Sequence, residues 1–134
     1  MLELKTGDLL LVRFSPMNVD ALMEDAEDAA AECEEYGDPP VYSISTFGAV
    51  KPAGVSVEDL LLRICTEAPV SGKRVWLNTE DALARVGFTA QLSEPPPHHY
   101  DVILGDELLL ADVERLVKSF EPGRERNPVW KRQR

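Results

Sequence analysis

The sequence is poor in cysteine and contains no long apolar run. Cys33 and Cys65 are its two cysteines, with no histidine close to either in the chain, whereas a structural zinc site needs four ligands at short spacings. No apolar segment approaches the roughly 20 residues that cross a bilayer, and the first residues lack the pattern of a secretory signal. We therefore expect no metal site, no membrane contact and a cytoplasmic protein with two reduced thiols.

Basic residues are missing from one long interval of the chain. Between Arg13 and Lys51 there is no lysine or arginine, whereas nine acidic residues lie there. Residues 121–134 instead carry five basic residues against two acidic ones, so the formal charge of -10 is unevenly distributed. Such a distribution disfavours direct binding of nucleic acid by the main body, and it favours a protein partner with a basic surface.

Strong catalytic motifs are also missing. The chain has no phosphate-binding glycine loop, no nucleophile elbow and no pair of histidines at helical metal-binding spacing. His98 and His99 are adjacent, so on a strand their side chains are expected to point to opposite faces and cannot share one metal ion. The three prolines at 95–97 are expected to end the strand before them and to keep the chain extended up to the next strand.

The apolar pattern predicts short strands that alternate with helices. Strands are expected at residues 9–14, 41–50, 74–77, 88–92 and 99–104. Helices are expected at residues 19–36, 57–68 and 79–86 and, after a turn at Gly105-Asp106, up to residue 120, with Asn18, Ser56 and Asn78 as N-caps. We therefore predict an α+β fold, with three to four helices packed on a small, mainly antiparallel sheet of short strands. Residues 1–123 would form this single domain, and residues 124–134 a basic C-terminal tail.

The predicted helix at 19–36 is amphipathic in an unusual way, because its apolar stripe is largely alanine and its other faces are acidic. It is either a solvated surface helix or a docking face for basic side chains. Trp130, in the basic tail, either folds back on the domain or serves as an anchor for a partner. On the docking interpretation, the partner-binding residues are Asp20, Glu24, Asp25, Glu27, Asp28, Glu32, Glu35 and Trp130.

Our first functional hypothesis is a small acidic binding protein without enzymatic activity or cofactor. Inhibitors, immunity proteins, antitoxins and phage-encoded antagonists are small single-domain proteins of this kind, and some present carboxylates where a phosphate backbone would bind. Clustered acids would steer a basic partner towards the helix and make the association sensitive to salt.

The second hypothesis depends on four short patches of sequence. Arg13 ends the first predicted strand, Ser43-Ile44-Ser45-Thr46 lies on the second, His99-Tyr100 begins a later one, and Glu107 follows it. This order resembles the ADP-ribosyltransferases, in which an arginine meets the NAD phosphates, a serine-rich strand supports the nicotinamide pocket and a late glutamate supports the transition state. The resemblance implies an NAD-dependent toxin domain. Its site residues would be Arg13, Ser43, Ser45, His99, Tyr100 and Glu107.

Overall fold

A six-stranded antiparallel sheet forms the middle layer of the protein. The computed structural model describes residues 2–14 and 16–131. The strands are β1 (Leu9–Arg13), β2 (Tyr42–Val50), β3 (Arg74–Thr79), β4 (Thr89–Leu92), β5 (His99–Gly105) and β6 (Arg124–Arg126). Their order in the sheet is β4-β5-β2-β1-β3-β6, and every neighbouring pair is antiparallel. The predicted α+β class is confirmed.

Four α-helices and one short 3-10 turn cover the sheet. They are α1 (Val19–Glu35), α2 (Val57–Glu67), α3 (Glu80–Arg85), α4 (Leu110–Phe120) and the 3-10 turn Glu121–Gly123. Asn18 and Ser56 cap α1 and α2 as predicted, each accepting a hydrogen bond from a backbone N–H of the first turn. Within the described part of the chain, none of these helices has the length and apolarity that crossing a bilayer requires.

The helices lie on both faces of the sheet, which explains the unbroken apolar run of β1. Leu9 and Leu11 face a core built with α1, α3 and α4, whereas Leu10 and Val12 face a second core built with α2. All five residues of β1 are buried, as expected for a central strand covered on both sides. The sheet thus separates two hydrophobic cores.

Two predictions about helix starts are wrong. Asn78 belongs to β3, where its side-chain amide donates to the Ser119 hydroxyl, and the cap of α3 is Thr79, whose hydroxyl accepts from the Ala82 N–H. The last helix begins at Leu110 rather than directly after the predicted turn at Gly105-Asp106. Gly105 has a φ of 123°, as the turn requires, and the irregular segment extends to Leu109 before the helix begins.

The proline-rich segment is a closed hairpin loop, and the prediction of an extended approach to β5 is wrong. The Ser93 N–H donates to the His99 carbonyl, which joins the two ends of the loop between β4 and β5. His98 has a φ of 66° and lies outside the strand, so the expected alternation of the two histidines fails. Its ring contacts Glu67 of α2, and His99 shares the α2 side of the sheet with Phe47.

The basic tail begins as the edge strand β6 and then lies against the domain. Asn127 is 1% exposed; its side-chain amide donates to the Gly72 carbonyl and its backbone N–H donates to the Lys73 carbonyl. The cations of Lys73 and Arg126 lie 5.6 Å and 5.5 Å from the centre of the Trp130 ring. Trp130 therefore packs on side chains of its own domain. Residues 132–134 of the tail lie outside the described residues.

We predict that Gly123→Ala destabilises the protein far more than Gly7→Ala. A Cβ at Gly123 would overlap the backbone carbonyl of Leu77, so the 3-10 turn would have to move away from β3, at a cost of about 3 kcal/mol or more. Gly7 has open space around it but a φ of 93°, so alanine there should cost only about 1 kcal/mol. Urea unfolding measures both; equal losses would contradict the close approach.

Cys65 is expected to resist alkylation in the folded protein. It is a buried residue of α2, and this burial raises the pKa of its thiol from 9.0 to about 11. At about pH 8, iodoacetamide should label Cys33 of the native protein and Cys65 only after unfolding. The thiol ionises at a lower pH in the unfolded chain than in the folded protein. Its contribution to stability is therefore complete below pH 9.0 and is lost as the pH rises to about 11. Rapid labelling of a native Cys33→Ser variant would contradict the prediction.

Candidate acidic cleft

An ion pair between a buried guanidinium and a partly exposed carboxylate organises the region where β1 ends. Arg13 is 3% exposed, and its guanidinium donates to the Asp25 carboxylate of α1 at 2.6 Å and to the Ser45 carbonyl at 2.9 Å. The Ser45 N–H donates to the same Asp25 oxygen at 2.9 Å. The paired residues of β1 and β2 stop at Val12 and Phe47, so Ser45 has no strand partner on this side. Arg13 and Asp25 therefore satisfy the backbone groups that a longer β1 would have paired.

Beyond the end of β1, helix α1 lies beside β2. The helix, the strands β2 and β5 and the loop before β5 enclose a cleft of about 470 Å³. We call it the acidic cleft. It is lined by Asp25, Asp28, Ala29, Glu32, Cys33, Tyr36, Asp38, Ser43, Ser45, Ser93, Pro95, Pro96, His99 and Asp101. The α1 members recur every three or four residues, so they form one face of the helix, next to the buried stripe of Leu22, Ala26 and Ala30.

The charge of the acidic cleft has one sign. Five of its lining side chains are carboxylic acids, and neither lysine nor arginine is among them. Such a surface attracts cations and repels phosphate groups. Asp25, Asp28 and Glu32 of the predicted docking face line the cleft, together with Asp38 and Asp101, which the sequence did not single out as partner-binding. The predicted residues that do not line it are Asp20, Glu24, Glu27, Glu35 and Trp130.

His99 lies in the wall of the acidic cleft with one ring nitrogen satisfied. Its Nδ1 is 3.0 Å from the Ser93 carbonyl oxygen, and because a carbonyl only accepts, Nδ1 carries a proton. The other nitrogen, Nε2, is 3.8 Å from Oδ1 of Asp101. Phe47 supports the ring in an edge-to-face contact, with 5.4 Å between centroids.

The structure brings together three of the six residues implied by the ADP-ribosyltransferase resemblance. Ser43, Ser45 and His99 line the acidic cleft, whereas Arg13 lies beneath it in the ion pair with Asp25. Tyr100 points to the opposite side of β5 and packs against the core of α1 and α4, where burial raises its pKa, with smaller contributions from Glu80 and Glu94. Glu107 is exposed in the turn before α4 and does not line the cleft.

No family model matches the chain, and no curated protein or solved structure matches it. The resemblance to ADP-ribosyltransferases therefore stays a prediction, as do NAD and a basic protein as ligands. Among the described residues, no group of three or more histidine, cysteine or acidic side chains is placed to hold a metal ion.

We predict that Asp25→Ala lowers the free energy of unfolding by about 3 kcal/mol or more, because it leaves the Arg13 guanidinium buried without its counter-charge. The matched control is Asp28→Ala, three residues further along the same helix. Asp28 lines the cleft without an ion pair, so its loss should change stability by less than about 0.5 kcal/mol. Urea denaturation compares the two variants, and equal effects would show that the ion pair does not hold α1.

Proposed function

We propose that this protein is a small, non-enzymatic binding protein whose acidic cleft engages a basic surface of a protein partner. The observation that carries the proposal is the cleft itself, a concave surface with five carboxylic acids and, among the described residues that line it, neither lysine nor arginine. Solvent-exposed charges of one sign steer an oppositely charged partner and raise the rate of encounter.

The acidic helix supports the same function. The exposed acids Asp20, Glu24 and Glu27 lie outside the cleft on α1, so the negative surface extends beyond the cavity. A rim of this kind contributes to association rate, whereas groups within the concave centre contribute more to affinity. We place this protein among inhibitors, immunity proteins, antitoxins or antagonists of bacterial or phage type that act in the cytoplasm.

An NAD-binding domain is the second candidate, because Ser43, Ser45 and His99 line the same cleft. Two features of the site make NAD binding the less favoured function. The arginine that would hold the phosphates is engaged by Asp25, and the carboxylates around the cleft oppose a diphosphate. Calorimetry with NAD separates the two candidates, because saturable binding at the cleft would favour the dinucleotide.

We predict that reversing three acids of α1 (Glu24→Lys, Asp28→Lys and Glu32→Lys together) weakens binding of a nona-arginine peptide by more than about tenfold at about 0.15 M salt. The three side chains are exposed, and Asp25 is left in place so that the ion pair with Arg13 is preserved. Isothermal titration measures the affinity, and urea unfolding checks that the variant is folded.

The matched control reverses three exposed acids away from the cleft, Asp106, Glu107 and Glu114, with the same change in net charge. None of the three side chains lines the cleft, so this variant should keep its affinity within about threefold. Equal losses in the two variants would attribute the binding to net charge alone and would contradict a role for the cleft.

A further inference from the structure

Ser43 leaves an unused hydroxyl in the wall of the acidic cleft. The residue is only 7% exposed and lines the cleft, and its hydroxyl makes no hydrogen bond with any other described residue. Ser43 Oγ is open to the cleft, since Arg13 Nε is the fully buried side-chain polar atom without a partner among the described residues. This observation is independent of the surrounding charge, and it marks a position at which a polar atom of a ligand would complete the site.

The side chains of His99 and Asp101 provide further hydrogen-bonding capacity in the wall of the acidic cleft. Nδ1 of His99 donates to the Ser93 carbonyl, which fixes the orientation of the ring. Its Nε2 lies 3.8 Å from Oδ1 of Asp101, beyond hydrogen-bond distance. The Asp101 carboxylate, which is partly exposed, therefore keeps acceptor capacity for an N–H group of a ligand.

The size and walls of the cleft favour a long, planar cation. A volume of about 470 Å³ accommodates an entire side chain, and Pro95 and Pro96 provide apolar surface for its methylene groups. Tyr36 also lines the cleft and is 76% exposed, which leaves its ring free for stacking. A guanidinium stacks on aromatic rings and offers five N–H donors, whereas an ammonium is compact, strongly hydrated and has three.

We propose that the acidic cleft binds the guanidinium of an arginine side chain supplied by the partner, with the Ser43 hydroxyl and the Asp101 carboxylate as its acceptors. The inference rests on the proposed function, since it names the part of the basic partner that enters the cleft. The acids of α1 then attract the partner, and the two β-strand residues recognise one of its side chains.

The test follows amide shifts in the full-length protein by NMR during titration with N-acetyl-arginine N-methylamide. We expect saturable shifts at Ser43, His99 and Asp101, and none with the neutral citrulline analogue, which has the same shape. Asp101→Asn should weaken binding by about tenfold, because a charge-assisted hydrogen bond is replaced by a neutral one. Ser43→Ala should weaken it about threefold to tenfold.

Matched controls are Asp106→Asn, an exposed acid beyond the far end of β5, and Ser71→Ala, an exposed serine outside the cleft. Both should leave the affinity unchanged. Spermidine provides a free polyamine for comparison, and tighter binding of spermidine at the same residues would overturn the assignment to arginine.

The outcomes separate the two proposals. If the α1 reversal weakens nona-arginine binding but the arginine analogue causes no shifts at Ser43 and Asp101, the arginine site is wrong and the acidic docking surface stands. If neither the peptide nor the arginine analogue binds, both proposals are wrong. Equal shifts from the arginine and citrulline analogues would also overturn the arginine site, because they would show that charge plays no part.

Discussion

The ion pair between Arg13 and Asp25 is the contact on which the arrangement around the cleft depends. A buried guanidinium requires a counter-charge, and the Asp25 carboxylate provides it while also accepting from the Ser45 N–H. One carboxylate thereby joins the end of β1, the middle of α1 and the stretch of β2 that extends past β1. Since these three segments frame one side of the cleft, the ion pair sets the position of the acidic helix relative to the strand residues that face it.

Hydrophobic packing alone does not fix the position of α1 beside the sheet. Its fully buried side chains are Leu22 and Ala26, with Ala30 nearly so, and alanine buries little apolar area. Acids four residues apart, such as Glu24 with Asp28 and Asp28 with Glu32, repel one another along its surface. The helix is held in place by the polar anchor at Asp25 and by small residues that allow close approach.

The opposite wall of the cleft depends on a loop rather than on charge. Ser93 bonds to His99 through backbone and side chain, and this closes the hairpin so that Pro95 and Pro96 stand beside the first residues of β5. His98, in a left-handed conformation, reaches Glu67 of α2 at 2.6 Å and ties the same loop to the other layer. The cleft is therefore bounded by one helix with exposed acidic side chains and by one loop whose ends are joined by hydrogen bonds.

The sequence by itself determined strands β1 to β5, the existence of the four helices, the α+β class and the acidic character of α1, because apolar periodicity and charge are properties of neighbouring residues. It located the side-chain caps at Asn18 and Ser56, but not the cap at Thr79 or the strand β6. It could not show that Arg13 would be engaged by Asp25, or that Asp38 and Asp101 would join the acids of α1. These contacts join residues that are far apart in the chain. They depend on the order of the strands and on the early end of β1. For the same reason the sequence could not show that Ser43, Ser45 and His99 line one cleft. Tyr100 lies on the other face of the sheet because side chains alternate along β5. Glu107 lies outside the cleft because it follows the turn at Gly105.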